Sequence, residues 1–472
     1  MMRRRTFLKS MAAGAAALGA PWAGAAEQRP NLVYVFADQW RADATGYAGD
    51  PNVKTPHIDG LARQSICLKN AVASCPVCSP YRGTLLTGQY PDRHGVFLND
   101  VHLRDEAVTV GDALQGAGYH TAWIGKWHLN GRGRASYIPP ENRQGFETWM
   151  VLECTHDYNH SEYYADDDPE KRVWDGYDAI AQTRAAQDLI RAHDGSRPLA
   201  LFLSWGPPHN PYETAPEKYR AMYDPAAIAL PPNVPKEAEA WARKDLAGYY
   251  AHCTALDDCV GDLLKTLDEA GLAANTIFVF TSDHGDMLGS QGEQRKQRPW
   301  DESVHVPFLM RYPDRFGCEG DTRTTPTNSP DIMPTLLALC GVPVPESVQG
   351  ESFVPLLDGK EEPDKGVLIA CYTPFGEWTR KNGGREYRGV RTARHTYVKS
   401  LDGPWLLYDN QEDPYQLHNL ANSPEHAELQ RALEQKLQAL LKRYGDAFLP
   451  GAEYVARWGY EVDETGTVPI RG

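Results

Sequence analysis

The chain has 472 residues, 42% hydrophobic and 24% charged, enough apolar sequence for one large core and a smaller second unit. That composition excludes a disordered chain and a membrane-spanning bundle. The formal net charge of −15 leaves no basic footprint for nucleic acid, so an anionic ligand would have to be met by a local cluster of cations or a metal.

At the N-terminus, Arg4-Arg5-Thr6-Phe7-Leu8-Lys9 resembles the twin-arginine export motif. Met11 to Ala20 adds a mild apolar stretch, and Ala23-Gly24-Ala25 offers small residues for cleavage. Residues 1–26 therefore read as a signal peptide addressed to the twin-arginine translocase, and the product as periplasmic or secreted. Removing Arg3, Arg4, Arg5 and Lys9 takes the charge from −15 to −19. That route carries folded proteins, which suits an enzyme needing a cytosolic modification or metal before export. No other segment is long and apolar enough to span a bilayer, so no integral membrane segment is expected in the mature chain.

Short apolar runs then read as buried parallel strands: Asn31 to Phe36, Thr121 to Ile124, Leu199 to Ser204 and Thr276 to Thr281, with Val306 to Met310 closing the set. Between them Thr109 to Gly118 has a Thr cap, apolar steps and a terminating Gly. Tyr249, Cys253, Leu256, Val260, Leu263 and Leu267 line one helix face. Strands alternating with helices give an α/β fold with a large, mostly parallel sheet flanked by helices, over residues 27–360. The pattern changes near Asp358 to Gly366. Val367 to Tyr372, Tyr387 to Thr392, His395 to Ser400 and Trp405 to Tyr408 read as an antiparallel sheet, followed by an amphipathic helix from Glu425 to Tyr444. Residues 361–472 are thus expected to form a smaller C-terminal α+β subdomain.

Nine cysteines are scattered along the chain rather than spaced as a framework. Cys75-Pro76-Val77-Cys78 has the outward form of a redox or zinc pair but neither a second half nor a thioredoxin-like context. A bridge between Cys253 and Cys259 is open on spacing.

Ligands of open α/β sheets bind outside the carboxyl ends of the strands. Here those ends carry Asp38-Gln39, Lys126-Trp127-His128, Pro208-His209 and Asp283-His284 in turn. One such residue alone would be a capped turn; four on one sheet edge make a site. Asp38, Gln39 and Asp283 are hard oxygen donors and His284 can add a nitrogen, a set suited to Ca²⁺ and less to Mg²⁺ or Mn²⁺ or to a closed zinc site. Lys126, His128, His209 and Lys296 supply charge and proton transfer for an anionic group.

In Cys78-Ser79-Pro80-Tyr81-Arg82-Gly83-Thr84-Leu85-Leu86-Thr87-Gly88, Pro80 and Gly88 mark the ends of a helix. Cys78 then sits at its N-terminus, where free N–H groups favour an anion, with Arg82 one turn on. On these two residues alone, a buried structural cysteine is as good a reading. The stretch, however, resembles the type I sulfatase signature C-x-P-x-R-x-x-x-L-x-T-G at every defining position. The likeness continues through Asp38, Gly125-Lys126-Trp127-His128-Leu129, Thr281-Ser282-Asp283-His284-Gly285, Lys296 and Arg388 to Thr392. Gln39 departs from it, since many relatives carry a second Asp there.

The resemblance implies an alkaline-phosphatase-like sandwich and a metal-dependent sulfatase. A formylglycine-generating enzyme would oxidise Cys78 to formylglycine (3-oxoalanine), which joins Asp38, Gln39, Asp283 and His284 at the metal. It implies that the hydrated aldehyde attacks sulfur with help from Arg82 and Lys126. His209 or Lys296 would then protonate the departing alcohol, and His128 would release sulfate. Alternatives stand beside it: a phosphonate monoester or phosphodiester hydrolase, a two-zinc phosphatase short of ligands, or a non-catalytic glycan-binding homologue. Export and the aromatic-rich insertion Glu153 to Trp174 suggest a sulfated carbohydrate as substrate. His156, Asp157, Tyr158 and His160 are its candidate contacts, with a mere covering loop as the other reading.

Overall fold

A computed structural model describes residues 29–470, so the twin-arginine segment at 1–26 lies outside the described residues. The strands in chain order are β1 (Asn31–Asp38), β2 (Ile66–Leu68), β3 (Ala71–Val72), β4 (His120–Lys126), β5 (Thr148–Leu152), β6 (Glu162–Ala165), β7 (Asp168–Val173) and β8 (Leu199–Pro208). They continue as β9 (Thr276–Ser282), β10 (Phe308–Arg311), β11 (Asp321–Arg323), β12 (Thr327–Asn328), β13 (Gly366–Cys371), β14 (Tyr387–Thr392), β15 (His395–Ser400) and β16 (Gly403–Asp409).

Ten of them form one twisted sheet in the order β11-β2-β10-β9-β1-β8-β4-β5-β6-β7. Its centre, β9-β1-β8-β4-β5, is parallel throughout. The alternation along β1 divides the core. Leu32, Tyr34 and Phe36 point into one cluster and Val33, Val35 and Ala37 into the other, every one of them fully buried. Burial on both faces is why this strand reads as a continuous apolar run. The long helix Glu239–Glu269 and the helix Asp178–Arg191 cover the second face. On the first face lie Val110–Gly116, with the expected Thr109 cap completed into a capping box by Asp112, and Cys78–Thr87.

The run from Val306 to Met310 does become a strand, but β10 pairs antiparallel with β9. A parallel return needs a crossover of a dozen or more residues, usually a helix. The segment between β9 and β10 holds only the four-residue α-helix Asp301–Val304 and a short 3₁₀ turn, so the chain folds straight back. Cys253 and Cys259 lie six residues apart on one helix, separated by a rise of about 9 Å, and both are free thiols.

The C-terminal sheet is antiparallel in the order β13-β14-β15-β16. One face, with Leu368, Val390, Tyr397 and Leu407, is covered by Leu433, Leu437 and Leu441 of the helix Ala427–Tyr444. The other face packs Val367, Ile369 and Val398 against Val72 and Val304 of the large unit. Among the described residues, no helix is long and apolar enough to cross a membrane.

Candidate active site

Register places the loaded strand ends side by side. Asp38 of β1 lies opposite Pro208 of β8, Ala37 opposite Ser282 of β9, and Ser204 of β8 opposite Gly125 of β4. At Gly125, φ is 101° and a Cβ would lie 2.1 Å from the Ser204 carbonyl, so only glycine lets β4 deliver Lys126 here. Cys78 is the first residue of the helix Cys78–Thr87, which follows an extended Val77 and ends on the left-handed Gly88. Every residue of that helix is buried, so the nucleophile candidate is set in a rigid element.

Four ligand atoms, from Asp38, Cys78, Asp283 and His284, lie within 4.8 Å of one another. The Cys78 sulfur is 3.4 Å from Asp38 Oδ1, 3.3 Å from His284 Nε2 and 3.4 Å from Lys296 Nζ. His284 Nδ1 donates to the Gly285 carbonyl at 2.9 Å. Nε2 therefore carries the bare lone pair and faces the two carboxylates, the tautomer a metal-bound histidine needs. The donor set fits a divalent cation. The Gln39 side-chain oxygen Oε1 accepts from Lys296 Nζ at 3.0 Å.

Around this cluster stand the cations. Arg82 reaches Asp38 and Asp283 at 3.3 and 3.4 Å, the Ser204 hydroxyl at 2.6 Å and the Lys126 carbonyl at 2.9 Å. Lys126 Nζ is 2.7 Å from Asp38 Oδ2. Burial alone would push the Asp38 carboxyl up, but Lys126, His209 and Lys296 prevail and hold it well below the ordinary carboxylate range. Burial and the neighbouring Asp38 charge raise Asp283 instead. Burial works against the Lys296 charge, but the Cys78 sulfur, Glu377 and Asp38 raise it above the ordinary lysine value. Burial and Asp38 push the Cys78 thiol up to about 12. An unmodified thiol here is protonated and a poor nucleophile.

The cluster opens into a cavity of about 250 Å³ lined by Cys78, Lys126, His128, His209 and Lys296. His209 Nε2 accepts from Lys296 Nζ at 2.7 Å, while its Nδ1 donates to the Asn210 carbonyl. His128, at φ 59°, pairs through Nε2 with Asp100 at 3.2 Å, and Arg134 holds that carboxylate with two N–H groups. Gln39, Arg295 and Gln297 also lie at positive φ, so backbone strain gathers at the site.

Of the insertion, His156 enters the cavity wall, stacked on His209 with ring centroids 4.5 Å apart. Asp157, Tyr158 and His160 do not line it. Tyr158 is core, its hydroxyl on the Gly206 and Asn210 carbonyls. Asp157 caps a turn by accepting from the His160 backbone, and His160 is exposed. The second half of the insertion forms β6 and the edge strand β7, with Tyr163 stacked on Trp174 at 3.8 Å. Sequence reasoning missed Asn99, Asp100, Arg134, Phe375, Glu377 and Thr467, all in the cavity wall. None lies in a motif or at a strand end.

A family model described as sulfatase matches residues 30–342, and one described as the C-terminal part of N-sulphoglucosamine sulphohydrolase matches 289–443. An ulvan-active sulfatase of Formosa agariphila is 43% identical over 440 residues, 92% of this chain and 85% of that protein. An endo-4-O-sulfatase of Bacteroides thetaiotaomicron is 32% identical, over 89% of this chain and 93% of that one. Among solved structures, the sulfatase yidJ of Bacteroides fragilis superposes with a TM-score of 0.82 at 30% identity, covering 92% of this chain and 99% of its own. Because the first match takes in every strand end and helix that builds the site, the chain belongs to the sulfatase family and is a sulfatase.

Proposed function

We propose that the protein removes sulfate from a sulfated poly- or oligosaccharide, with formylglycine at position 78 as nucleophile and one Ca²⁺ ion held by Asp38, Gln39, Asp283 and His284. The observation that carries this is the placing of Cys78, inert as a thiol, at a helix N-terminus between the acidic ligand cluster and three buried cations. The carbohydrate class rests on relatives named for ulvan and for endo-4-O-sulfate action.

The cation would supply Lewis-acid polarisation of the sulfuryl oxygens, and formylglycine a hydrated aldehyde with one hydroxyl for attack and one for release of sulfate. The chain's own residues do the rest. Arg82 and Lys126 hold negative charge at the sulfuryl group without reorganising, because their partners fix them. Lys296 and His209 form a hydrogen-bonded pair at the cavity side, placed to protonate the departing alcohol. His128 takes the proton that releases sulfate, with Asp100 fixing its ring. Residues 1–26 serve as the twin-arginine signal, and a formylglycine-generating enzyme acts on Cys78 before export to the periplasm or beyond. Residues 27–360 form the catalytic domain, and residues 361–472 a subdomain that closes the cavity with Phe375, Glu377 and Thr467.

A panel of sulfated saccharides offered to the purified, modified protein tests the substrate, with an aryl sulfate and a phosphodiester in parallel. Sulfate release from a saccharide is expected. Turnover of the phosphodiester alone would replace this reading with that of a phosphodiesterase.

A further inference from the structure

Residue 39 is pinned at every polar atom. Its backbone N–H donates to Asp283 Oδ1 and its carbonyl accepts from the Tyr249 hydroxyl, both at 2.9 Å. Its φ of 74° is the left-handed region that non-glycine residues avoid. The side-chain amide bridges two groups of opposite kind: Nε2 donates to Asp286 Oδ2 at 2.6 Å, and Oε1 accepts from Lys296 Nζ at 3.0 Å. An ionised carboxylate only accepts and an ammonium only donates, so these partners decide which end of the amide faces the site. The oxygen is turned toward Lys296, itself 3.4 Å from the Cys78 sulfur, and the nitrogen toward Asp286.

Asp286 is fully buried, and donors occupy it on both oxygens. Oδ1 takes the backbone N–H groups of Leu288 and Arg295 at 3.2 and 2.9 Å. Oδ2 takes the Tyr212 hydroxyl besides Gln39, and the Arg295 guanidinium donates to that hydroxyl in turn. None of these donors lies between Asp286 and residue 39 except the Gln39 amide itself. A glutamate carboxylate, which matches this amide in length, would meet the buried Asp286 at hydrogen-bond distance with no proton between them, the arrangement a low-dielectric interior tolerates least.

We propose that Asp286 is a positioning residue that turns the Gln39 carbonyl oxygen toward the cation site. Positions 39 and 286 are then charge-coupled, and the pair accommodates one carboxylate and not two. The orienting role rests on the reading that Gln39 faces a bound divalent cation; the charge coupling does not. It gives a physical reason why a side chain of this length at position 39 ends in an amide and not a carboxylate.

The test compares the wild type with Gln39→Glu, Asp286→Asn and the double variant. Calcium affinity is measured by calorimetry on chelator-stripped protein, with the melting temperature of the metal-free form and kcat/KM on an aryl sulfate. Asp286→Asn frees the amide to flip and should weaken calcium binding about 10-fold, the lower end for groups that orient metal ligands. Gln39→Glu should lower the metal-free melting temperature by at least ~2–4 °C. In the double variant the amide introduced at position 286 can donate to the carboxylate introduced at position 39. The metal-free melting temperature should then return to within ~1 °C of wild type, and kcat/KM should rise above that of Gln39→Glu alone, a large departure from additivity.

Additive losses in the double variant overturn the coupling, and unchanged calcium affinity in Asp286→Asn overturns the orienting role. Should Asp286→Asn fail to fold, Gln39→Glu against the double variant still decides, since rescue supports the pair and no rescue overturns it. If the stripped wild type binds no calcium, the metal reading and with it the orienting role fall. The metal-free melting temperatures then judge the coupling alone.

Discussion

Removing His209 and removing Lys296 should have different signatures, although the two side chains touch. His209 donates through Nδ1 to the Asn210 carbonyl, so its Nε2 has a lone pair and accepts from Lys296 Nζ at 2.7 Å. Burial and the Lys296 charge hold His209 well below the ordinary histidine range, so the proton of the pair resides on Lys296. Lys296 also reaches Gln39 at 3.0 Å and the Cys78 sulfur at 3.4 Å, whereas His209 touches the pair, its own loop and the stacked His156. Lys296→Ala therefore disturbs the nucleophile and ligand cluster for every substrate. His209→Ala removes only the group that aligns the proton with the leaving oxygen. A phenolate departs without that proton; a sugar alkoxide, with a pKa above about 12, does not. General acid catalysis contributes ~10²–10⁴-fold, or about 3–5 kcal/mol of barrier. His209→Ala should cost a sugar sulfate ~10² or more in kcat and an activated aryl sulfate less than ~10-fold, while Lys296→Ala slows both alike. The assay is kcat/KM over aryl sulfates of graded leaving-group pKa, where His209→Ala should steepen the dependence. An unchanged slope refutes the role of His209, and a steepened one in Lys296→Ala alone exchanges the two.

Peptide mass spectrometry of active protein should find residue 78 about 18 Da lighter than cysteine, and wholly unmodified Cys78 in fully active enzyme would end the formylglycine reading. Chelation should abolish turnover and Ca²⁺ restore it, and Asp38→Ala or Asp283→Ala should each cost ~10² or more, since each removes a charge facing the cation; intact turnover after all three would show the ligand assignment wrong. Burial pushes Asp178 up to about 8, and its Oδ1 has no hydrogen-bond partner. The unfolded chain releases that proton near pH 4 and the folded chain keeps it to about 8. Wild-type stability therefore falls as pH rises through this window, by about 1.4 kcal/mol per unit from this group. Asp178→Asn should melt higher than wild type by a margin that grows from pH 4 to 8, and parallel melting curves would contradict the burial argument.

The centre of the sheet was legible because β1, β4, β8 and β9 are buried on both faces and so read as unbroken apolar runs ending in polar residues. The same legibility hid direction. Phe308–Arg311 looks alike whichever way it runs, and the absence of a crossover helix in the preceding segment decides it. The three-residue strands β2 and β11 are too short to show any periodicity. At the site, residues next to a strand end or inside the Cys78 helix could be found, since local sequence delivers them. Asp100 and Arg134 could not, because the contacts that run from His128 to Asp100 and from Asp100 to Arg134 are made by loops that tertiary packing brings together. Tyr158 misled for a related reason: an aromatic in a polar stretch suggests a sugar platform, but here it fills the core beside Tyr177 and His252.

An acidic chain that acts on anions must separate the field of its surface from the field of its site. Surface carboxylates are screened within about 8–10 Å by salt, whereas charges at the foot of a buried cavity are screened much less. Arg82, Lys126 and Lys296 are all buried, and with the buried carboxylates Asp38, Asp283 and Asp286 they make a cluster that is locally neutral before any cation binds, unlike the acidic surface. Opposite charges about 4 Å apart interact by about 4 kcal/mol at an effective dielectric of 20, enough for this cluster to outweigh the distant surface. Such burial is tolerated only where partners are supplied. Arg82 has four hydrogen-bond acceptors, and Lys126 is held by Asp38. Gln39 fits the same requirement. A carboxylate there would make the cluster net negative beside Asp286, whereas an amide keeps an oxygen toward Lys296 and adds no charge against the sulfate.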